Sequence, residues 1–453
     1  MSILRNGLYV AVLFSASQML AGPTVHVTGV VQDSGSRAVR VAYSLDEDAI
    51  VTVAIEVGGR AMTMPRVYGD VNALVESGER SFSWSPVGSE PCAGSAVSFT
   101  VSAWAPDDPP TCLVCDLDLG TVAYYASTND LPGGVGSDAY RTSKLLMRRI
   151  PSAGSSFLCC GTARRDISRD FWLGAFEVTQ EQYRRVMRAE PGTFVEPTSW
   201  ACRPVCGGLA SGNVQLFFNE LRGDANETTV PEDPSSSSFF GILRTRFSQP
   251  FDLPSEAQWD FANRAGSSGS LPSGVEHAED IGRFNSNGGL PAGMDVNTAY
   301  SCGSTNGTAC VGSYPPNAYG LYDTLGNVWE WCLDGYEDTL ARDVASDYVN
   351  RTVAGKQRVR RGGCWRESPG DNNIRSYWTG GLNNAGFRCA CGGIAGTSRQ
   401  PYSVDSATLD DMTADVVLVD TPFASVERRF YTMRESLDIS FNPNPFGFNI
   451  FVR

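Results

Sequence analysis

The sequence predicts an α+β fold with few regular elements, preceded by a small all-β sandwich. Residues 24–105 alternate apolar and polar side chains with Gly, Asp and Ser between the segments, the period-two signature of antiparallel strands. Beyond about residue 143, short helix signals are separated by long stretches rich in Gly, Ser, Asn and Asp. The block Tyr314 to Glu337 sets Pro315, Pro316, Gly320, Gly326 and Asn327 between Tyr319, Tyr322, Trp329 and Trp331, which reads as successive turns pinned by large rings.

At 453 residues the chain exceeds one compact core, so more than one domain is expected. Its 42% apolar and 19% charged content is that of a globular protein. A net charge of -14 without any Lys/Arg block argues against nucleic acid as a partner and favours the binding of cations. Arg5, the apolar run Leu8 to Phe14 and small residues ending at Ala21 predict a signal peptide over 1–21, hence a secreted or periplasmic protein. No later stretch is long enough for a transmembrane anchor.

Strands are predicted at Thr24 to Val31, from Val39, from Ile50, from Ser81 and from Ala96, with Trp84 and Trp104 as core rings of an immunoglobulin-like spacer over 24–105. The Pro/Asp run from Pro106 to Pro110 opens a linker, 106–142, carrying a strand-like VAYY at Val122. Thr179, followed three residues on by Gln182, is a capping box for a helix burying Tyr183, Val186 and Met187. Asn213 to Leu221 is a second helix by its apolar spacing, and Pro254 with Ser255 opens a third. Residues 224–248 and 267–308 are expected to hold little regular structure. The tail 396–453 carries strand signals at Ala414 and Ile439, and no function can be read from it.

Thirteen cysteines suit an oxidising compartment. Cys112 with Cys115, Cys202 with Cys206, and Cys302 with Cys310 could each close a small loop, whereas adjacent Cys159 and Cys160 are expected to pair elsewhere. With only His26 and His277 in the chain, and no second CxxC, spacing argues against zinc. The same shortage excludes Ser-His-Asp and Cys-His catalysis.

Glu330, wedged between Trp329 and Trp331, needs a guanidinium or a hard cation as partner. Gly326, Asn327, Val328 and Glu330 make a candidate oxygen-ligand loop for structural calcium; pairing of Glu330 with Arg361 or Arg388 is the competing reading.

The block PPNAYGLYDTLGNVWEWCLDGY resembles the signature of the formylglycine-generating enzymes, or sulfatase-modifying factors. FWLGAFEVTQEQYRRVM from Phe171, FDLPSEAQWDFANRAG from Phe251, RVRRGGCW from Arg358 and NNAGFRCA from Asn383 follow in that family's order, so the family domain is placed at 143–395. KLLMRRIPSAGSSFLCCG from Lys144 resembles the opening strand pair of the family domain. The resemblance implies a C-type-lectin-like fold with sparse secondary structure, structural calcium, and a pair of cysteines that bind copper(I) and oxidise a sulfatase cysteine to formylglycine. Here the pair is missing: Glu367 and Asn372 stand at those positions, and Cys364 takes the place of the serine in GGS. Without two soft thiolates the resemblance speaks against copper.

Cys364 and Cys332 remain weak catalytic candidates, read first as a structural disulfide, second as inert thiols and last as a displaced soft-metal site. The leading reading is a non-catalytic module that binds a protein or glycan through a groove of exposed Trp331, Trp365, Glu367, Asn372, Trp378 and Asn384. The alternative is an oxygen-dependent oxidase with a rearranged site. What separates the two is how many thiols converge beside Gly363.

Overall fold

In a computed structural model the chain is mostly sheet with few helices. The structure describes residues 22–32, 38–62, 66–85, 96–188, 201–206, 220–223, 228–289, 307–341, 344, 346–353, 357–378, 384–394, 403–409, 439–444 and 447–452. The predicted signal peptide, the Asn213 helix up to residue 219, Cys302 and the Ala414 strand lie outside them.

The N-terminal alternation becomes two sheets. Strands Val25–Gln32, Val39–Leu45, Gly78–Ser85 and Arg66–Gly69 form one, in that order. Ser403–Leu409, Val97–Trp104, Ala49–Val57 and Arg60–Ala61 form the other, with Ala73–Val75 also paired to Ala49–Val57. The inward residues of both, among them Val41, Tyr43, Val53, Phe82, Trp84 and Phe99, share one buried core. Trp104 is buried and donates its indole N–H to Thr52 Oγ1 at 2.9 Å. The tail therefore returns to the first sheets through Ser403–Leu409, while Ile439–Asn444 and Gly447–Val452 pair with each other.

The stretch expected as a linker contributes two strands, one at the predicted VAYY and one, Cys112–Asp116, that was not expected. Thr121–Tyr125 and Cys112–Asp116 begin a six-stranded sheet that continues through Lys144–Ile150, Asp170–Gly174, Ala390–Ile394 and Phe251–Asp252. Lys144–Ile150 and Ser155–Cys159 are strands as read, yet they do not pair with each other. The first lies between Cys112–Asp116 and Asp170–Gly174, and the second makes a hairpin with Ala163–Ile167.

Helix Gln180–Met187 carries its predicted capping box, Thr179 Oγ1 accepting from Gln182 N at 3.2 Å. Ser255 caps Glu256–Arg264 in the same way. A helix at Phe239–Phe247 corrects the expectation that 224–248 lacks regular structure. Ser238 caps it, and Phe239, Phe240, Leu243 and Phe247 face the core at helical spacing, a pattern masked by the serines before it.

A four-stranded sheet, Arg375–Trp378, Arg358–Arg361, Trp329–Gly335 and Ala385–Gly386, carries the aromatic block and the GGCW segment. Its antiparallel register sets Glu330 opposite Arg361 and Trp331 opposite Arg360. The one disulfide among the described residues joins Cys202 to Cys310 and not either cysteine to its sequence neighbour. Cys112, Cys115 and Cys206 are buried free thiols, as are Cys159 and Cys160. No helix among the described residues is long and apolar enough to cross a membrane.

Candidate functional site

Side chains on a strand alternate between the two faces of the sheet, and this decides the fate of the two candidate cysteines. Trp329, Trp331 and Leu333 point into the main core together with Cys364, Trp365 and Phe387. Cys332 leaves the other face and packs on Trp259 and Val359. Both thiols are free and fully buried, so the expected Cys332–Cys364 disulfide is corrected: the strand itself separates them.

Cys364 sits after Gly362 and Gly363, both with positive φ. A Cβ on Gly362 would meet the Thr324 carbonyl at 2.9 Å, so the tight turn requires glycine. Asn384 Nδ2 donates to Cys364 Sγ at 3.3 Å, and Asn384 Oδ1 is buried with no partner among the described residues. Burial first, and then the nearby Glu367 carboxylate, push the Cys364 thiol up to about 12, so it is protonated at neutral pH. Glu367 accepts from the Trp329 indole N–H at 3.1 Å, and the Arg360 guanidinium lies 4.5 Å from the Trp329 ring centroid.

The groove residues are placed differently from the expectation of an exposed surface. Trp331, Trp365, Asn372 and Asn384 are buried, and Glu367 is half-buried. Trp378 ends the strand Arg375–Trp378. Asn372 is bonded all round: its Oδ1 accepts from Asn263 Nδ2 at 2.9 Å, its Nδ2 donates to Gly269 O at 3.1 Å, and its carbonyl accepts from Arg361 Nη2 at 2.7 Å. What this segment exposes is Ser368, Pro369 and Tyr377, the last with its ring centroid 4.5 Å from that of Tyr336.

Glu330 has the guanidinium it needed. Arg388 holds it in a fork, Nε donating to Oε2 at 2.6 Å and Nη2 to Oε1, and Trp259 Nε1 donates to Oε2 at 2.7 Å. The same arginine donates to the Gly174 and Tyr322 carbonyls, tying three segments together. Asn327 Oδ1 accepts from Ala309 N, and its carbonyl accepts from Trp365 N. The charge of Glu330 is thus matched by Arg388, the guanidinium of the competing reading, and Asn327 Oδ1 and its carbonyl serve as hydrogen-bond acceptors within the loop. Glu367 and Asn372, the residues at the positions where the resemblance implies cysteines, present a carboxylate and an amide, groups that do not suit copper(I).

Two buried clusters were missed in the sequence. Glu177 accepts from Asn327 Nδ2 at 2.6 Å and from Val328 N at 3.2 Å, and its pKa is raised well above the carboxylate range by burial and then by Asp323 and Glu330. Arg361, completely buried, donates to Cys160 Sγ at 3.1 Å, Glu256 Oε1 at 3.2 Å and Asp260 Oδ1 at 2.6 Å. No local pattern announces either, because their members lie far apart in sequence.

A family model described as a sulfatase-modifying factor enzyme 1-like domain matches residues 160–393, more than half of the 453 residues. The chain belongs to the sulfatase-modifying factor family. It is 34% identical over 148 residues to the formylglycine-generating enzyme of Streptomyces coelicolor, covering 30% of this chain and 46% of that one. To the Bos taurus formylglycine-generating enzyme it is 30% identical over 260 residues, covering 50% of this chain and 67% of that one. The chain thus spans less than half of the first relative's length. Among solved structures, Treponema denticola variable protein 1 is similar at 23% identity with a TM-score of 0.39, covering 57% of this chain and 96% of that one.

Proposed function

We propose that this member of the family is a non-catalytic, exported ligand-binding protein. The observation that carries the reading is the isolation of Cys364: it is a protonated, buried thiol held by Asn384, with Cys332 on the opposite face of the strand and Glu367 and Asn372 at the positions of the paired cysteines. The resemblance implies that formylglycine formation takes two soft thiolates at one point, and among the described residues one thiol, Cys364, lies at this one. The C-type-lectin-like frame and the immunoglobulin-like spacer of residues 24–105 belong to the same reading.

The ligand, protein or glycan, meets the exposed rim of the segment and not its tryptophans. Ser368, Pro369 and Tyr377, with Tyr336 beneath, supply polar and aromatic surface there. No observation favours a rearranged oxidase.

The test is conversion of a cysteine-containing sulfatase peptide by the full chain with copper(I) and oxygen, followed by mass spectrometry. An unchanged peptide is expected. Formylglycine formed by the wild type and abolished in Cys364→Ser would overturn the proposal. For the binding half, a glycan and protein array probed with wild type and Tyr377→Ala should give signals that fall at least tenfold in the variant; equal signals would remove this rim from the site.

A further inference from the structure

The vicinal thiols at the tip of the hairpin Ser155–Cys159/Ala163–Ile167 carry a site of a different kind. We infer that Cys159, Cys160 and Asp260 form a binding site for a tetrahedral divalent d10 cation of the zinc(II) type. The ligand atoms Cys159 Sγ, Cys160 Sγ and an Asp260 carboxylate oxygen all lie within 4.8 Å of one another, and all three residues are buried.

The two sulfurs are 3.7 Å apart. Two zinc–sulfur bonds of about 2.3 Å meeting at the tetrahedral angle place their sulfurs about 3.8 Å apart. A linear two-coordinate ion would require a separation of more than about 4 Å, so the spacing selects the tetrahedral class. Glu256 Oε1 lies 3.5 Å from Cys160 Sγ, and a tetrahedral sulfur–oxygen edge is about 3.6 Å.

Surrounding groups fix the ligands. Asp260 Oδ2 accepts from Cys160 N at 3.1 Å and from Arg264 Nε at 2.9 Å, and Oδ1 accepts from Arg361 Nη2 at 2.6 Å. Arg375 grips Glu256 through Nε at 2.8 Å and Nη2 at 2.9 Å. The guanidiniums of Arg264, Arg361 and Arg375 face the carboxylates of Glu256 and Asp260, which would repel a bare cation. Binding, however, exchanges charge evenly: one zinc(II) enters, two S–H bonds break, two zinc–sulfur bonds form and two protons leave to solvent, so the local charge is unchanged. Access is short, because Gly161 and Thr162 at the turn are exposed.

Spacing alone argued against zinc, since it pairs neither cysteine with a histidine or a second CxxC. The third ligand comes from a helix about a hundred residues further on, Cys160 N and Asp260 Oδ2 being 100 positions apart.

The experiment is titration of the full chain, reduced under native conditions and freed of metal, with zinc(II) against a chromophoric chelator, repeated with cobalt(II) for its thiolate charge-transfer band. One equivalent is expected, with affinity rising up to about a hundredfold per pH unit as two protons are released. Cys159→Ser and Cys160→Ala should each weaken binding at least tenfold and reduce the cobalt band per bound ion to about half, as one of two thiolates is lost, while Cys364→Ser changes neither. Circular dichroism of each variant establishes that it is folded. Absence of stoichiometric binding in the wild type, or binding unchanged in folded Cys159→Ser, overturns the inference. So does mass mapping that finds Cys159 and Cys160 joined as a disulfide in the protein as isolated.

Discussion

At the scale of single residues, the Glu330–Arg388 pair shows how far sequence reasoning reaches. A carboxylate between two tryptophans has to be neutralised, and an arginine in GFR was one of few candidates. Both side chains are essentially unexposed, 1% and 0%. Arg388→Met leaves a buried carboxylate uncompensated and two carbonyls without their donor, and is expected to cost about 3–5 kcal/mol in urea unfolding. The double variant Glu330→Gln with Arg388→Met should recover part of that loss. Equal stability of wild type and Arg388→Met would mean that Glu330 has another partner, such as a bound hard cation. By contrast, the orientation of Cys332 could not be read. It depends on which face of Trp329–Gly335 turns inward, and with tryptophans and carboxylates alternating along that strand, both faces are buried.

At the scale of elements, caps and periodicity were legible where the local code is dense. Thr179 and Gln182 announced their helix, and Thr179→Ala is expected to cost about 1 kcal/mol by leaving Gln182 N unsatisfied. Helix Phe239–Phe247 was hidden because serines precede it and a glycine interrupts its apolar run. That glycine has a packing reason: a Cβ on Gly241 would run into the carbonyl of Ser235. In an exposed helix, Gly→Ala stabilises by about 1 kcal/mol. Here overpacking wins, and Gly241→Ala should lose about 1–3 kcal/mol in thermal or urea unfolding. A gain in stability would show that the loop before the helix yields freely. Strand pairing was the least legible feature at this scale: Cys112–Asp116 lies in a stretch punctuated as a linker, and only its neighbours in the sheet reveal it as structural.

At the scale of the whole molecule, buried acids dominate. Sequence composition gives the net charge of -14 and says nothing of where charge is trapped. Asp334 is raised to about 7 by burial and then by repulsion from Glu256, against the pull of hydrogen bonds from Glu256 N and Asn350 N. Glu177 and Asp323 are shifted in the same direction, each by burial first. A carboxyl with a raised folded-state pKa binds more protons folded than unfolded between the two values. For Asp323 and Asp334 stability therefore falls as pH rises through the window from about 4 to 7 and levels off above it, by up to about 1.4 kcal/mol per unit for each, and Glu177 adds a loss of the same sign. Glu256 works the other way: burial lifts it, but Arg361 and Arg375 hold it below its ordinary value, so its contribution is lost only as pH falls through the acid range. The opposed signs place the stability maximum on the acidic side of neutrality. Urea midpoints measured from pH 4.5 to 8 should decline towards neutral pH and then flatten, and Asp334→Asn should decline less steeply over the same range. Midpoints that instead rise steadily from pH 4.5 to 8 would mean that these acids are ionised in the folded state, with a bound cation or further guanidiniums holding their charge.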